Sequence, residues 1–314
     1  MITRIRRCPD ATVAYIIAGA AAALLLLSLI PYLHGFWWAF ELPSHFRPHI
    51  AAVSTTLGII ALILKSWRTS ALALFAAAIC LTPVLTVPTI LPFDNSGVVV
   101  VSQNLSLENG SVDEALRVLI DEDPDIVVLQ EYTPEWHESL KSVADRYLTT
   151  ITVPRNGGFG MAVFSKLPVR SHEILALGDT EAPAIVMEID TPLVKAHLVA
   201  IHFQPPMRGH WSKDRNRQLN ELKHYLLGLN GPYVVVGDFN CTPFSPSLRA
   251  FIRETQTRLG QSIWLPTWPS VFGWAGIPID LALGSEGVKI GSMFRIDPIG
   301  SDHRGIRFSV TTQL

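Results

Sequence analysis

Eight residues have types and positions that could do chemistry together: Asn104, Glu131, His202, Asp238, Asn240, Asp280, Asp302 and His303. Each lies at or just past the end of an apolar run that reads as a strand. Strand ends converge on one rim of a sandwich, so these side chains are expected to share a rim. A rim of carboxylates, amides and imidazoles suits a hard divalent cation together with a phosphate. Magnesium takes oxygen ligands and keeps several waters, so one or two carboxylates suffice for it. Zinc would ask for more histidine or cysteine. Taken singly, each residue has an ordinary reading. Asn104 could be a turn residue, Gly237-Asp238-Phe239-Asn240 a plain turn, Ser301-Asp302-His303 an Asx turn, and His202 a satisfied strand histidine. It is the ordered set that points to chemistry.

The elements that must position them are legible as periodicities. Val98–Val101 is a β-branched run leading into Ser102-Gln103-Asn104, and Ile126–Leu129 leads into Gln130-Glu131. Both read as strands buried on two faces. Between them, Ser111 with Glu114 three residues later reads as a capping box. Val112, Ala115, Leu116, Leu119 and Ile120 then fall on one helical face, and Pro124 ends the helix. Further strands are expected at Met161–Phe164, Ala184–Ile189, Val194–Phe203, Tyr233–Val236, Ile279–Leu283, Val288–Met293 and Ile306–Val310, with a helix over Asp214–Leu227. Strands outnumber helices and some follow each other directly. That favours a mixed α/β sandwich over a doubly wound parallel sheet.

Gln103-Asn104, Gln130-Glu131, Ile201-His202-Phe203, Gly237-Asp238-Phe239-Asn240, Ile279-Asp280 and Gly300-Ser301-Asp302-His303 together resemble the ordered motifs of the endonuclease/exonuclease/phosphatase superfamily. The resemblance covers about residues 97–312. It implies a four-layer α/β sandwich with two packed mixed sheets, and in-line hydrolysis of a phosphate ester with Mg2+ or Mn2+. It implies metal ligation by Asn104, Glu131 and Asp302, with Glu131 the principal ligand. It implies that Asp238 positions or deprotonates the attacking water and that Asn240 contacts the phosphate. His303 would be the active-site histidine with Asp280 its carboxylate partner, and His202 a second histidine at the phosphate or leaving group. Two departures stand out. Leu281 follows Asp280 where many relatives carry His or Tyr. Gly157-Gly158-Phe159-Gly160-Met161 occupies the region where several family nucleases carry a catalytic tyrosine. Arg208, Arg215 and Arg217 are candidate phosphate contacts, and Trp268 and Trp274 candidate stacking surfaces for a base or sugar.

The front of the chain is different. No Asp, Glu, Lys or Arg occurs between Asp10 and Glu41, from Pro48 to Leu64, or from Thr69 to Phe93. About 20 mainly apolar residues cross a bilayer as a helix. Residues 1–95 are therefore expected to form a membrane region of about three transmembrane helices, the second, around His49 to Leu64, being the shortest. Residues 96–314 are expected to form the catalytic domain. Arg4, Arg6 and Arg7, then Lys65 and Arg68, mark the cytoplasmic side. That places the catalytic domain outside the cytoplasm, in a bacterium on the periplasmic face of the inner membrane.

Residues 1–95 hold six Lys/Arg and three Asp/Glu, which leaves 19 basic and 24 acidic residues and a net charge of −5 for the rest. This argues against an avid nucleic-acid binder, whose balance would be basic. Cys8, Cys80 and Cys241 form no disulfide framework. The expected function is a membrane-anchored phosphodiesterase of nuclease-like type, acting as a monomer on a phosphate-ester substrate at the lipid bilayer. The alternative is a lipid or small-molecule phosphodiesterase or phosphatase acting on, for instance, a phospholipid head group. A non-catalytic binding module would have lost ligand positions, and here they are all filled.

Overall fold

The computed structural model describes residues 11–90, 97–178, 180, 182–192, 194–260 and 264–312. Arg4, Arg6, Arg7 and Cys8 lie outside the described residues. Two compact units divide the chain. The first ends at Thr86; the second begins at Val87 and takes up the remainder apart from Phe244–Pro246.

The first unit contains helices α1 (Ala11–Leu29), α2 (Arg47–Ile63) and α3 (Trp67–Leu85). With the short 3-10 turns that adjoin them, three stretches are long and apolar enough to cross a membrane: Ala11–Leu33, Trp38–Ile63 and Trp67–Leu85. The second stretch starts well before His49, because a 3-10 segment over Trp38–Phe46 leads into α2. Small residues mediate the helix packing. Ala51, Ala61, Ala73, Ala76 and Ala77 are buried. A Cβ on Gly58 would come within 2.8 Å of the Leu74 side chain. Close approach through small residues is how helices associate where no water drives them together. The hydroxyls of Thr55 and Thr82 bond carbonyls one turn back, at Ala51 and Ala78.

The second unit contains β1 (Val98–Asn104), α4 (Val112–Glu122), β2 (Ile126–Gln130), α5 (Pro134–Ser139), α6 (Lys141–Ala144), β3 (Thr149–Val153), β4 (Met161–Ser165), β5 (Val169–Ala176), β6 (Pro183–Asp190) and β7 (Lys195–His202). It continues with α7 (Gly209–Gly228), β8 (Tyr233–Asp238), α8 (Pro246–Thr255), β9 (Arg258–Leu259), β10 (Asp280–Gly284), β11 (Val288–Ile290), β12 (Phe294–Arg295) and β13 (Ile306–Thr312). One sheet has the order β11-β13-β1-β2-β4-β3 with β12 added on β13, and the other β5-β6-β7-β8-β10-β9. Both sheets are mixed: β1 and β2 are parallel, as are β7 and β8, and the other pairs are antiparallel.

The sheets pack face to face. Val100, Ile126, Val128 and Val163 of the first meet Ile185, Leu198, Val234 and Val236 of the second in one core. On the outer face of the second sheet lie Leu219, Leu222 and Leu226 of α7 and Leu248, Phe251 and Ile252 of α8. Ala115 and Leu119 of α4, with Leu140 and Val143, cover the other outer face. Strands buried on both faces read as continuous apolar runs, which is why Val98–Val101 and Tyr233–Val236 carry no polar alternation. This is the expected four-layer sandwich.

The structure adds elements the periodicity does not show. β5 is exposed along nearly its whole length. It carries Arg170, Ser171, His172 and Glu173, the polar dress of an edge strand. β3 and α8 are also additions, and α7 begins at Gly209 rather than Asp214. Ser111 does precede α4, but its hydroxyl makes no capping bond. Asn109 Oδ1 takes the Ser111 N–H instead, at 2.9 Å.

Candidate active site

The topology explains the shared rim. β1, β2, β7 and β8 run with their C-terminal ends together, and β10 and β13 run the other way with their starts beside them. In register, Asn104 sits opposite Gln130, His202 opposite Asp238, and Asp280 also opposite Asp238. Glu131 follows β2 directly, and Asp302 and His303 precede β13 by a few residues.

Asp238 is the hub. Its Oδ2 accepts from Asn104 Nδ2 at 3.1 Å and from Asn240 Nδ2 at 3.4 Å. The same oxygen lies 3.5 Å from His202 Nε2 and 3.8 Å from His303 Nε2. Its Oδ1 accepts the Asn240 backbone N–H at 2.8 Å. Asn104 bridges onward, donating to Glu131 Oε1 at 3.1 Å. Asn104 Oδ1 accepts the Ser106 N–H at 2.9 Å, which fixes which end of that amide is oxygen. Glu131 Oε2 accepts the Leu107 N–H at 2.7 Å. His303 Nδ1 and Asp280 Oδ2 are 2.9 Å apart. Among the described residues, Asp238, Asp280 and His303 are the group of three acidic or imidazole side chains whose donor atoms cluster within 4.8 Å.

Asn104, His202, Asp238, Asp280 and His303 are all buried, Asp238 and Asp280 at 1% exposure. Burial penalises a charged group at such positions. Burial raises the Asp238 carboxyl, with Asp280 adding to the rise and the His303 charge opposing it. For His303 burial opposes the charge, but the carboxylates of Asp280 and Asp238 outweigh it and raise the imidazole to about 10. Burial and the neighbouring His303 push His202 down to about 3. The rim thus favours a charged His303 and a neutral His202 on either side of Asp238. Glu131 is also raised, chiefly by burial, while hydrogen bonds from Asn104 and Leu107 oppose the rise.

The sign of the His303 shift gives a test. A raised histidine adds stability that is fully present below its unfolded pKa of about 6.5 and is lost as pH rises through about 10. Asp280→Asn removes the partner on Nδ1. The expected result is a His303 titration displaced to lower pH, read by NMR of ring nitrogens in 15N-histidine-labelled protein. An unchanged titration would show that the pairing does not hold the charge.

The sequence motif matches at the level of the family. The model of the Endonuclease/Exonuclease/phosphatase family covers residues 101–303. The chain belongs to this family. No curated protein matches the sequence, but solved structures do. D. rerio TDP2 in complex with a single-strand DNA product superposes with a TM-score of 0.56 at 18% identity, over 69% of this chain and 100% of that one. An endonuclease/exonuclease/phosphatase from Bacteroides vulgatus gives 0.56 at 17% identity, over 69% and 100%. The human Nocturnin catalytic domain with a bound sulfate anion gives 0.53 at 17%, over 74% and 99%. At these identities the likeness shows the fold.

Several residues around the candidate site gain roles the sequence did not reveal. Thr267 Oγ1 accepts the N–H groups of Ile279 and Asp280, at 3.2 and 3.1 Å. Ser301 Oγ donates to Asn104 O at 2.7 Å and accepts the His303 N–H at 3.0 Å, tying the ends of β1 and β13 together. Phe159 lies against the His202 ring, with centroids 5.2 Å apart. Trp268 is not free to stack through its polar edge: its Nε1 donates to Asp302 Oδ2 at 2.9 Å. Trp274 is exposed, with the Arg295 guanidinium 4.1 Å from its ring centre. Arg215 is fully buried and bonds Asn216 Oδ1, so it does not face a substrate. Arg217 reaches toward Gly178 O, while Arg208 is exposed and stacks on Trp211 at 4.7 Å.

Glu131 sits at φ 55° and Asn240 at φ 48°. Left-handed backbone is uncommon outside glycine, more so for Glu than for Asn, and it concentrates where function demands it. Beside Glu131, Gly160 lets β4 pass close: a Cβ there would stand 2.0 Å from Tyr132 O.

Proposed function

We propose that this protein is a membrane-anchored phosphodiesterase that uses a divalent cation, Mg2+ or Mn2+, and attacks phosphorus in line with water. The observation that carries the reading is Asp238: one buried carboxylate between two histidines and two amides, linked through Asn104 to Glu131. Glu131, Asp302 and Asn104 would hold the cation. The carboxylates of Glu131 and Asp302 offer oxygen only, which suits a hard ion; Asn104 points its Nδ2 at Glu131 while its Oδ1 accepts the Ser106 N–H, so it would ligate only with its amide turned. Glu131 is a largely buried carboxylate with no lysine or arginine paired to it among the described residues, so a cation there would offset its desolvation. When bound, the ion supplies Lewis-acid polarisation and charge neutralisation at the phosphoryl group.

The chain's own residues do the rest. Asp238 orients the water and accepts its proton as the new O–P bond forms on one side of phosphorus and the ester P–O bond opposite breaks, the departing alkoxide oxygen taking a proton from solvent. Its raised carboxyl suits proton transfer near neutral pH. Asn240 holds Asp238 from both its backbone and its side chain. His303, kept charged by Asp280, donates to a phosphate oxygen, and neutral His202 offers a second hydrogen-bonding group beside it.

Two substrate classes stand against each other. The single-strand DNA product bound by D. rerio TDP2 supports a nuclease-like enzyme. An exposed apolar turn favours a lipid head group. Val271, Phe272 and Trp274 are 83%, 63% and 65% exposed, and Ser270 at the start of that turn donates to Asp302 O at 2.7 Å. The charge pattern of Arg4, Arg6, Arg7, Lys65 and Arg68 supports an extracytoplasmic catalytic domain. A reporter fused after Leu314 that is active only in the cytoplasm would overturn that placement.

The test uses the full chain in detergent micelles with bis-p-nitrophenyl phosphate, single-stranded DNA and sphingomyelin. Turnover is expected with Mg2+ or Mn2+, abolished by EDTA and restored by adding either ion back. Turnover that survives exhaustive chelation would sink the cation-dependent reading.

A further inference from the structure

Next to the ends of β1 and β2 lies a cavity of about 410 Å3, within the range of roughly 300–1,000 Å3 typical of small-molecule sites. Leu107, Asn109, Thr133, Glu135, Trp136 and Asn156 are among the residues that line it. It lies beside Glu131 across Leu107, a lining residue whose peptide N–H donates to Glu131 Oε2 at 2.7 Å. A substituent on a phosphate bound through a cation at Glu131 would therefore have this cavity on its Leu107 side.

Among the described residues its lining contains no lysine, arginine or histidine, and Glu135 is the one charged side chain there. Hydrogen bonds from its own backbone N–H and from the Thr133 hydroxyl lower the Glu135 carboxyl, so it is ionised at neutral pH. The Asn109 side chain is committed to the protein: it donates to Leu105 O and Ile299 O and accepts from Ser111 N. Asn156 and Glu135 are exposed and can meet a ligand. Together they offer an amide donor and a carboxylate acceptor over an apolar wall formed by Leu107 and Trp136.

We infer that this cavity is a subsite for an uncharged, hydroxylated substituent of the scissile phosphate, of the sugar or polyol class. The inference rests on the phosphodiesterase reading. Hydroxyl groups both donate and accept, so they satisfy the carboxylate and the amide at once. A second phosphate, as on a polynucleotide running this way, would face Glu135 with no cation in the lining to offset the repulsion. The cavity thus separates substrates by what lies on the Glu131 side of the scissile bond.

The experiment is isothermal titration of the full chain in detergent micelles with Mg2+, using inorganic phosphate, glucose 1-phosphate, phosphocholine and thymidine 3′,5′-bisphosphate. Glucose 1-phosphate is expected to bind about tenfold tighter than inorganic phosphate, the gain of one or two hydrogen bonds to a charged group. The double variant Glu135→Ala/Asn156→Ala should lose that advantage and keep its affinity for inorganic phosphate. Asn156→Lys, on an exposed loop, should turn the preference toward the bisphosphate. Equal affinity for glucose 1-phosphate and inorganic phosphate overturns the subsite. So does an advantage that survives the double variant, or tighter binding of phosphocholine or bisphosphate by the unmodified chain. Turnover of bis-p-nitrophenyl phosphate, which bears no hydroxylated group, reports on the phosphodiesterase reading separately. Its absence sinks that reading, while the sugar preference is decided by binding alone.

Discussion

Asp238→Asn is expected to give a folded protein that hydrolyses bis-p-nitrophenyl phosphate about 10²–10⁴-fold more slowly than the unmodified chain, the range for loss of a positioned proton acceptor. The substitution is isosteric, and the oxygen that accepts the Asn240 N–H at 2.8 Å can be kept. What changes is the other atom. Asp238 Oδ2 serves two amide donors and faces both imidazoles. An NH2 group in its place meets donors with a donor and cannot take a proton from water. Stability shifts less than activity, because the lost interactions are offset by no longer burying a carboxylate whose desolvation already raises it. The check is kcat/KM at saturating Mg2+ alongside a melting curve on the same preparation. A fall of less than tenfold with normal melting would assign the proton acceptor elsewhere, with Glu131 the next residue to test.

Much of this site was legible in the sequence because its residues sit at the ends of strands whose apolar runs are unmistakable. Asn104, Glu131, His202, Asp238 and Asp280 close or open such runs, and the parallel pairs β1–β2 and β7–β8 bring their ends to one rim. The illegible part comes from residues that act through the backbone. Thr267 holds the Asp280 N–H from thirteen residues away, and Ser301 ties β1 to β13 across 197 residues. A hydroxyl that accepts a peptide N–H leaves no periodic trace. Trp268 read as a stacking surface because composition reveals an indole but not where its N–H points. Arg215 reads as a candidate phosphate contact by its charge, yet it falls on the same helical face as Leu219, Leu222 and Leu226, the face of α7 that is buried. β5 escaped for the opposite reason: an exposed edge strand has no apolar face to alternate.

Gly237→Ala should lower the melting temperature by on the order of 10 °C and take activity with it. Gly237 lies inside β8 at φ +142°, where a side chain is strained, and a Cβ would stand 2.0 Å from Ile201 O and 3.0 Å from Ile201 C. Both contacts are backbone atoms of β7, the parallel neighbour in the middle of the sheet, so no side-chain rotation relieves them. Backbone strain of about 1–3 kcal/mol and overpacking of about 1–3 kcal/mol are a large share of a total stability of about 5–15 kcal/mol. For a domain of this size each kcal/mol moves the midpoint by about 2–4 °C. Gly157→Ala is the control: nothing lies within 4 Å of its Cβ and its φ is unremarkable, so melting should not move. The alternative to unfolding is for β7 and β8 to separate. But Ile201↔Gly237 is the pair directly before His202↔Asp238, so relief of the clash displaces a histidine from the carboxylate it must face. The glycine ahead of Asp238 is thus what allows two strands to approach closely enough for His202 and Asp238 to meet across them. A variant that melts normally and retains full turnover would show that the sheet absorbs the clash without disturbing that register.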